Sequence, residues 1–211
     1  MQTEVEVEHG TTMSLPPLYL CWRKFMDITF GLCGTVVLLL ILPALALLIY
    51  LDSPGPIFYS QERLGYRGKK FYMLKFRSMC PNTEDAGCGA WTAKDDLRVT
   101  RIGRFLRAIH LDELPQVFNI LRGEMSLIGP RPDLEENTAK LEKVNPLYCQ
   151  RQAIKPGLTG WTQVKCGYGT TYMDELAKLP YDLYYIKHQS FMLDIDIILK
   201  TIVEVVSRHG Q

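Results

Sequence analysis

The chain lacks the features that most often decide a function class. Its six cysteines (Cys21, Cys33, Cys80, Cys88, Cys149, Cys166) form no C-x-x-C pair, and none has a histidine at ligand spacing. That pattern argues against a zinc site or a disulfide framework and for free thiols in a reducing compartment. There is no excess of charge of one sign: 24 Lys+Arg stand against 23 Asp+Glu, a formal net charge of +1. A dedicated nucleic-acid binder usually carries a strong basic excess, so nucleic acid is not an expected partner. Internal repeats and low-complexity tracts are absent. With 47% apolar residues and 22% charged ones the composition is not that of a disordered chain. A length of 211 residues suits one compact domain with an appendage.

What the chain does have is a long apolar run. No charged residue occurs from Ile28 to Leu51. A helix of that length, at about 1.5 Å per residue, reaches across a bilayer core of roughly 30 Å. The run follows a polar leader carrying Glu4, Glu6 and Glu8 and exceeds a secretory h-region, so a signal peptide is disfavoured. Length alone fits a single-pass anchor. Two details favour a re-entrant helix instead. Arg23 and Lys24 precede the run and Arg63, Arg67, Lys69 and Lys70 follow it, which places both ends on the cytoplasmic side. Pro43, inside the run, removes a backbone hydrogen bond and bends a helix. The resulting division is a leader over 1–21, a re-entrant helix kinked at Pro43 over 22–52, and a cytoplasmic domain over 53–211 lying on the membrane. The short leader points to a minimal form with no further N-terminal membrane helices.

Asp52-Ser53-Pro54-Gly55-Pro56 breaks the helix. Two alternating stretches around Tyr66-Arg67-Gly68 predict a β-hairpin, and Pro81 to Asp96 reads as a loop. A helix is expected over Leu97–Leu111, with Ile102, Phe105, Leu106 and Ile109 on one face and Arg101, Arg104 and Arg107 on the other. A second helix follows Pro115 and stops at Gly123. Glu135 to Val144 reads as a helix, and KPGLTGWTQV as a turn running into a strand. The segment from Phe191 to Val206 is amphipathic, with Ile195, Ile198, Ile202 and Val205 at helical spacing. The expected fold class is therefore α+β, mainly helical, with a small β-hairpin and interfacial amphipathic helices around a small irregular domain.

The densest chemistry lies in RFLRAIHLDELPQVFNILRGEMSLIGPRP. Asp112 and Glu113 are adjacent carboxylates just before Pro115, a residue that favours the first turn of a helix. Acidic residues there can simply complement the helix dipole. The setting suggests more: Arg107 lies five residues upstream and Arg131 sits in a stiff Pro-Arg-Pro turn. Two arginines with two carboxylates can bind a diphosphate and the Mg²⁺ that neutralises it.

Four motifs, GPIFYSQERLGYRGKKFYMLKFRSM, DLRVTRIGRFLR, LDELPQVFNILRGEMSLIGPRP and KPGLTGWTQV, occur in this order. In them the chain resembles the bacterial sugar transferases, monotopic phosphoglycosyl transferases that start glycan assembly on a polyprenol phosphate carrier. The resemblance covers nearly everything after the leader. It implies an enzyme of the bacterial inner membrane, on its cytoplasmic face, dependent on Mg²⁺ or alternatively Mn²⁺. It implies a UDP-sugar donor, a polyprenol (undecaprenyl) phosphate acceptor and release of UMP, as the first membrane step of exopolysaccharide, O-antigen or glycoconjugate assembly. By the same resemblance Asp112 is the nucleophile, Asp112 and Glu113 hold the metal, and Arg107 and Arg131 hold phosphate. A homo-oligomer is compatible with this, and the sugar is left open.

The chain departs from the family pattern at His110, where a small or hydroxyl residue is usual, at Glu124 and at Leu42. Lys165 to Gly169 replaces an Asn-Gly-Arg and is a candidate for donor discrimination. Two rival readings stand beside this one. Asp194-Ile195-Asp196 fits the metal motif of a UDP-releasing glycosyltransferase, although Asp196, Lys200, Glu204 and Arg208 also make ordinary i,i+4 surface pairs. A membrane-anchored, non-catalytic scaffold would use Trp22, Trp91, Trp161 and the C-terminal amphipathic helix, with Tyr184, Tyr185 and Phe191 in the core or at the interface.

Overall fold

The computed structural model describes residues 4–7, 11–80, 98–166 and 172–207. A short antiparallel pair, β1 (Glu4–Val7) and β2 (Thr11–Ser14), precedes the long helix α1 (Pro17–Asp52). The predicted hairpin follows as β3 (Phe58–Leu64) and β4 (Lys70–Phe76), in register from Phe58↔Phe76 to Leu64↔Lys70. Its 3-10 turn, Tyr66–Gly68, places Arg67 in the left-handed region at φ 53°. Then come α2 (Arg101–Ala108), a 3-10 turn (Leu111–Gln116), α3 (Val117–Leu121) and β5 (Ser126–Ile128). The chain closes with α4 (Glu135–Val144), a 3-10 stretch (Pro146–Ala153), β6 (Gly157–Thr159), α5 (Trp161–Cys166), α6 (Tyr172–Lys187) and α7 (Phe191–Val206). The mainly helical α+β class and the small hairpin are as expected. The Pro81 to Asp96 loop lies outside the described residues.

α1 is continuous through Pro43 and is long and apolar enough to cross a membrane. One stripe of it faces the protein. Leu38, Leu45 and Ile49 join Phe76, Leu106 and Val117 in a buried cluster, and Phe30 packs against this cluster and two others. Gly31 and Gly34 let α3 approach: a Cβ on Gly34 would sit 2.6 Å from Val117 Cγ1, and one on Gly31 would sit 2.6 Å from Leu121 Cδ2. Leu32, Val36, Leu39, Leu40 and Leu47 point away and are exposed.

Both ends of α1 are tied to the same body. Asp27 Oδ1 accepts from Ser126 Oγ (2.9 Å) and from the Leu127 amide (2.7 Å). Arg23 donates to Ser126 Oγ and to the Ile128 carbonyl at 2.7 Å. The charge counted above as a basic flank is thus held by protein groups. At the other end Asp52 accepts from the Ile102 amide at 2.8 Å and caps α2 together with Thr100, whose hydroxyl accepts from the Gly103 amide. Arg77 reaches back from the hairpin to the Ser53 carbonyl.

Two local expectations fail. WTQV does not continue as a strand. β6 stops at Thr159 because Gly160 packs against the Gly129 carbonyl, where a Cβ would come within 2.2 Å. The chain then turns into α5, with Gln163 donating to the Leu158 carbonyl. α2 is shorter than predicted because His110 adopts φ 55°, which ends it, and Phe105 is 58% exposed instead of lying inside beside Leu106. The short helix expected after Pro115 is present as α3, and Gly123 follows its end at φ 75° as expected of a C-terminal glycine.

The close approach at Gly34 leads to a prediction. Gly34→Leu forces overpacking against Val117 and should cost about 1–3 kcal/mol. Val36→Ala, on the exposed face, should leave stability unchanged. Thermal unfolding of the detergent-solubilised variants distinguishes the two.

Candidate active site

The 3-10 turn after His110 carries both carboxylates inward: Asp112 is 7% exposed and Glu113 is 8% exposed. The left-handed His110 lets the turn begin immediately after α2. Pro115 starts the final turn before α3, which is anchored on α1. The pair therefore sits where α2, α3 and the hairpin meet.

The two carboxylates have different surroundings. Glu113 Oε1 accepts from Lys75 Nζ at 2.8 Å and from Arg131 Nη2 at 2.6 Å, while Arg131 Nη1 lies 3.4 Å from Oε2. Burial pushes the Glu113 carboxyl up, but the Arg131 and Lys75 charges outweigh it and hold it well below the ordinary carboxylate range. Among the described residues no hydrogen bond or ion pair engages the Asp112 carboxylate. Burial, then the charge of Glu113, pushes its pKa up, against the nearby Lys75, Arg107 and Arg131. Glu113 is an anion held between two cations, and Asp112 lies beside it within the field of Lys75, Arg107 and Arg131.

All four sequence-predicted polar residues converge. Arg107 Nε donates to Ser78 Oγ at 2.8 Å, and its charge acts on Asp112. Arg131 comes from the GPRP turn. Pro43 stands apart, exposed in the interior of α1.

Two cations were missed. Lys75 shares the inward face of β4 with Phe71 and Met73, and burial lowers its pKa despite Glu113. Alternation alone puts Lys75 on the face of Phe71 and Met73, but that this face is the buried one is fixed only by the fold. Arg63 on β3 donates to the Pro132 carbonyl at 3.4 Å and to Gln61. Burial, followed by repulsion from Arg131, pushes it down to about 10. Among the described residues Lys75, Arg63, Arg107 and Arg131 gather around the two carboxylates, a set that suits an anion of the phosphate class.

A divalent ion fits this donor set. No group of three or more His, Cys, Asp or Glu side chains gathers among the described residues. Mg²⁺ is commonly held by one or two carboxylates plus substrate phosphates, however. Asp112 has free acceptors, and Glu113 Oε2 has only the long Arg131 contact.

The rival motif is occupied otherwise. Asp194 is 1% exposed and accepts from Tyr19 (3.0 Å) and Tyr185 (2.8 Å) hydroxyls. Asp196 pairs with Lys200 on α7. Tyr185 is in the core and Tyr184 is exposed. Of the Lys165 to Gly169 segment, Gly167 to Gly169 lie outside the described residues, as does Trp91.

The model of the family described as "Bacterial sugar transferase" matches residues 18–208. The chain belongs to the bacterial sugar transferase family. It is 41% identical over 195 residues to a UDP-N-acetylgalactosamine-undecaprenyl-phosphate N-acetylgalactosaminephosphotransferase of Aeromonas hydrophila, covering 92% of this chain and 46% of that protein. It is 44% identical over 169 residues to a UDP-glucose:undecaprenyl-phosphate glucose-1-phosphate transferase of Xanthomonas campestris pv. campestris, covering 78% and 34%. A putative undecaprenyl-phosphate N-acetylgalactosaminyl 1-phosphate transferase of Bacillus subtilis is 46% identical over 148 residues, covering 70% and 82%. The chain spans between a third and a half of the length of the Aeromonas and Xanthomonas relatives.

The asymmetry of the carboxylates predicts opposite effects on stability. A raised folded-state pKa means that the ionised Asp112 is disfavoured in the fold at pH 7, so Asp112→Asn should raise the thermal midpoint. Glu113→Gln removes the buried carboxylate that Lys75 and Arg131 both grip and should cost about 3 kcal/mol. Thermal unfolding at pH 7 checks both signs.

Proposed function

We propose that this sugar transferase moves a sugar 1-phosphate from a UDP-sugar to undecaprenyl phosphate through a covalent intermediate on Asp112. The single observation that carries the proposal is the Asp112 carboxylate, unengaged among the described residues, beside a Glu113 neutralised by Lys75 and Arg131. A carboxylate is a weak nucleophile, and it attacks phosphorus only when the phosphate charge is neutralised and the approach is in line.

In the first step an Asp112 oxygen attacks the phosphorus bonded to the sugar. The bond to the bridging oxygen breaks, and UMP leaves with that oxygen. In the second step an oxygen of undecaprenyl phosphate attacks the same phosphorus. The acyl-phosphate bond breaks, the Asp112 carboxylate is regenerated, and undecaprenyl-diphosphate-sugar is the product. Arg131, Arg107 and Arg63 bind and orient the phosphate oxygens. Glu113, held by Lys75 and Arg131, fixes the position of its neighbour. Asp112 and Glu113 would hold Mg²⁺, or Mn²⁺ in its place, and when bound the ion supplies charge neutralisation at the diphosphate and the departing nucleotide.

The same reading places α1 as a re-entrant helix at the cytoplasmic face of the bacterial inner membrane. Support comes from its two ends: Asp27 near the start and Asp52 at the finish both bond to the same soluble body. A helix crossing the bilayer would carry one of these ends away from that body. The exposed Ile195, Leu199 and Ile202 of α7 fit an interfacial helix in the same arrangement. Which glycan the product enters is set by the sugar.

The test is nucleotide release. With Mg²⁺, a panel of UDP-sugars and undecaprenyl phosphate, the solubilised protein should release UMP, and Asp112→Asn should lower turnover at least about 10³-fold. UDP release would favour a glycosyltransferase. Absence of both nucleotides from folded protein would favour the scaffold.

A further inference from the structure

The Gly129-Pro130-Arg131-Pro132 turn that presents Arg131 is fastened almost wholly through its carbonyls, since Pro130 and Pro132 have no N–H to give. Four successive carbonyls accept. Pro130 O accepts from the Gly157 amide (2.9 Å), Arg131 O from Arg151 Nη2 (3.1 Å), Pro132 O from Arg63 Nη1 (3.4 Å) and Asp133 O from the Leu64 amide (2.9 Å). The bond to Arg131 itself is made by the most deeply buried of these side chains.

Arg151 is 8% exposed, and each of its nitrogens has a separate task. Nε donates to Asp182 Oδ2 at 2.7 Å, Nη1 to Asp133 Oδ2 and to the Tyr148 hydroxyl, and Nη2 to the Arg131 carbonyl. Tyr148 closes the ring by donating to Asp133 Oδ2 at 2.6 Å. Asp182, on α6, also accepts from Thr162 Oγ1 on α5, the helix that leads toward Gly167. One rigid fork therefore joins the backbone of the phosphate clamp to α5 and α6.

We infer that Arg151 is a positioning residue for Arg131. Its planar guanidinium fixes the turn so that the Arg131 fork faces Glu113 and the substrate diphosphate, and Asp182 sets the orientation of that guanidinium. The inference rests on the transferase reading above. An ion pair serving the fold alone would need only Asp133 and Asp182, and would have no reason to end on the carbonyl of the residue that grips Glu113. Lysine cannot replace this fork. It keeps the buried charge but donates from a single point, so it cannot reach Asp182 and the Arg131 carbonyl together.

A double-mutant cycle on UMP-release kinetics tests this. Arg151→Lys should lower kcat/KM about tenfold, since small misplacements of a substrate-holding group are costly. In an Arg131→Lys background the same change should cost less than about twofold, because a flexible lysine at 131 no longer depends on the set of the turn. A full tenfold loss in that background would show that Arg151 acts independently of Arg131 and would overturn the inference while leaving the transferase reading intact. Failure of the wild-type protein to release UMP from any donor would remove the reading and the inference together. Tyr148→Phe keeps both ions and removes one hydroxyl. If Arg151→Lys does not fold, the same cycle run with Tyr148→Phe decides between these outcomes.

Discussion

The site depends on the clamp of Glu113 between Lys75 and Arg131. Each partner comes from a different part of the chain: Lys75 from the second strand of the hairpin, Glu113 from the turn after α2, Arg131 from the turn after β5. A buried carboxylate with one partner removed is costly, so the three segments must arrive together. Once they do, the negative charge of Glu113 is neutralised, and among the described residues the carboxylate next to it has no hydrogen bond or ion pair. That placement gives Asp112 its reactivity in the proposed mechanism.

The rest of the fold holds this triad in place. α1 supplies the floor: its glycine stripe draws α3 close, Leu38, Leu45 and Ile49 pack on Phe76 and Leu106, and Asp52 caps α2. An apolar helix thus has two roles, with one face in the protein and the other outside it. Arg77 and Asp52 lock the end of α1 to both the hairpin and α2, so a shift of α1 would move the carboxylates.

Much of this was legible from residue order. The hairpin, the Glu135–Val144 helix and the Phe191–Val206 helix follow from alternation and helical spacing, which local sequence records directly. Asp112, Glu113 and Arg131 stand out as charged residues close to prolines, and Arg107 as the arginine five residues upstream of the carboxylate pair. Lys75 and Arg63 do not, because a cation in a strand reads as an exposed edge residue until the burial of Phe71 and Met73 fixes its face. The helix at Trp161 was misread because Gly160 ends the strand through a contact with Gly129 that sequence alone does not reveal. α6 contains Pro180 and showed no cue. Its role is tertiary, since Asp182 belongs to a network whose other members lie some 20 to 50 residues away.

The central claim is that a phosphosugar rests on Asp112. Incubating the protein with Mg²⁺ and its UDP-sugar in the absence of undecaprenyl phosphate, quenching, and mapping the adduct by mass spectrometry tests it most directly. The account predicts a sugar-phosphate mass increment on the peptide containing Asp112, lost on addition of undecaprenyl phosphate. An unmodified Asp112 peptide under conditions that yield full product, or an adduct on another residue, would contradict it.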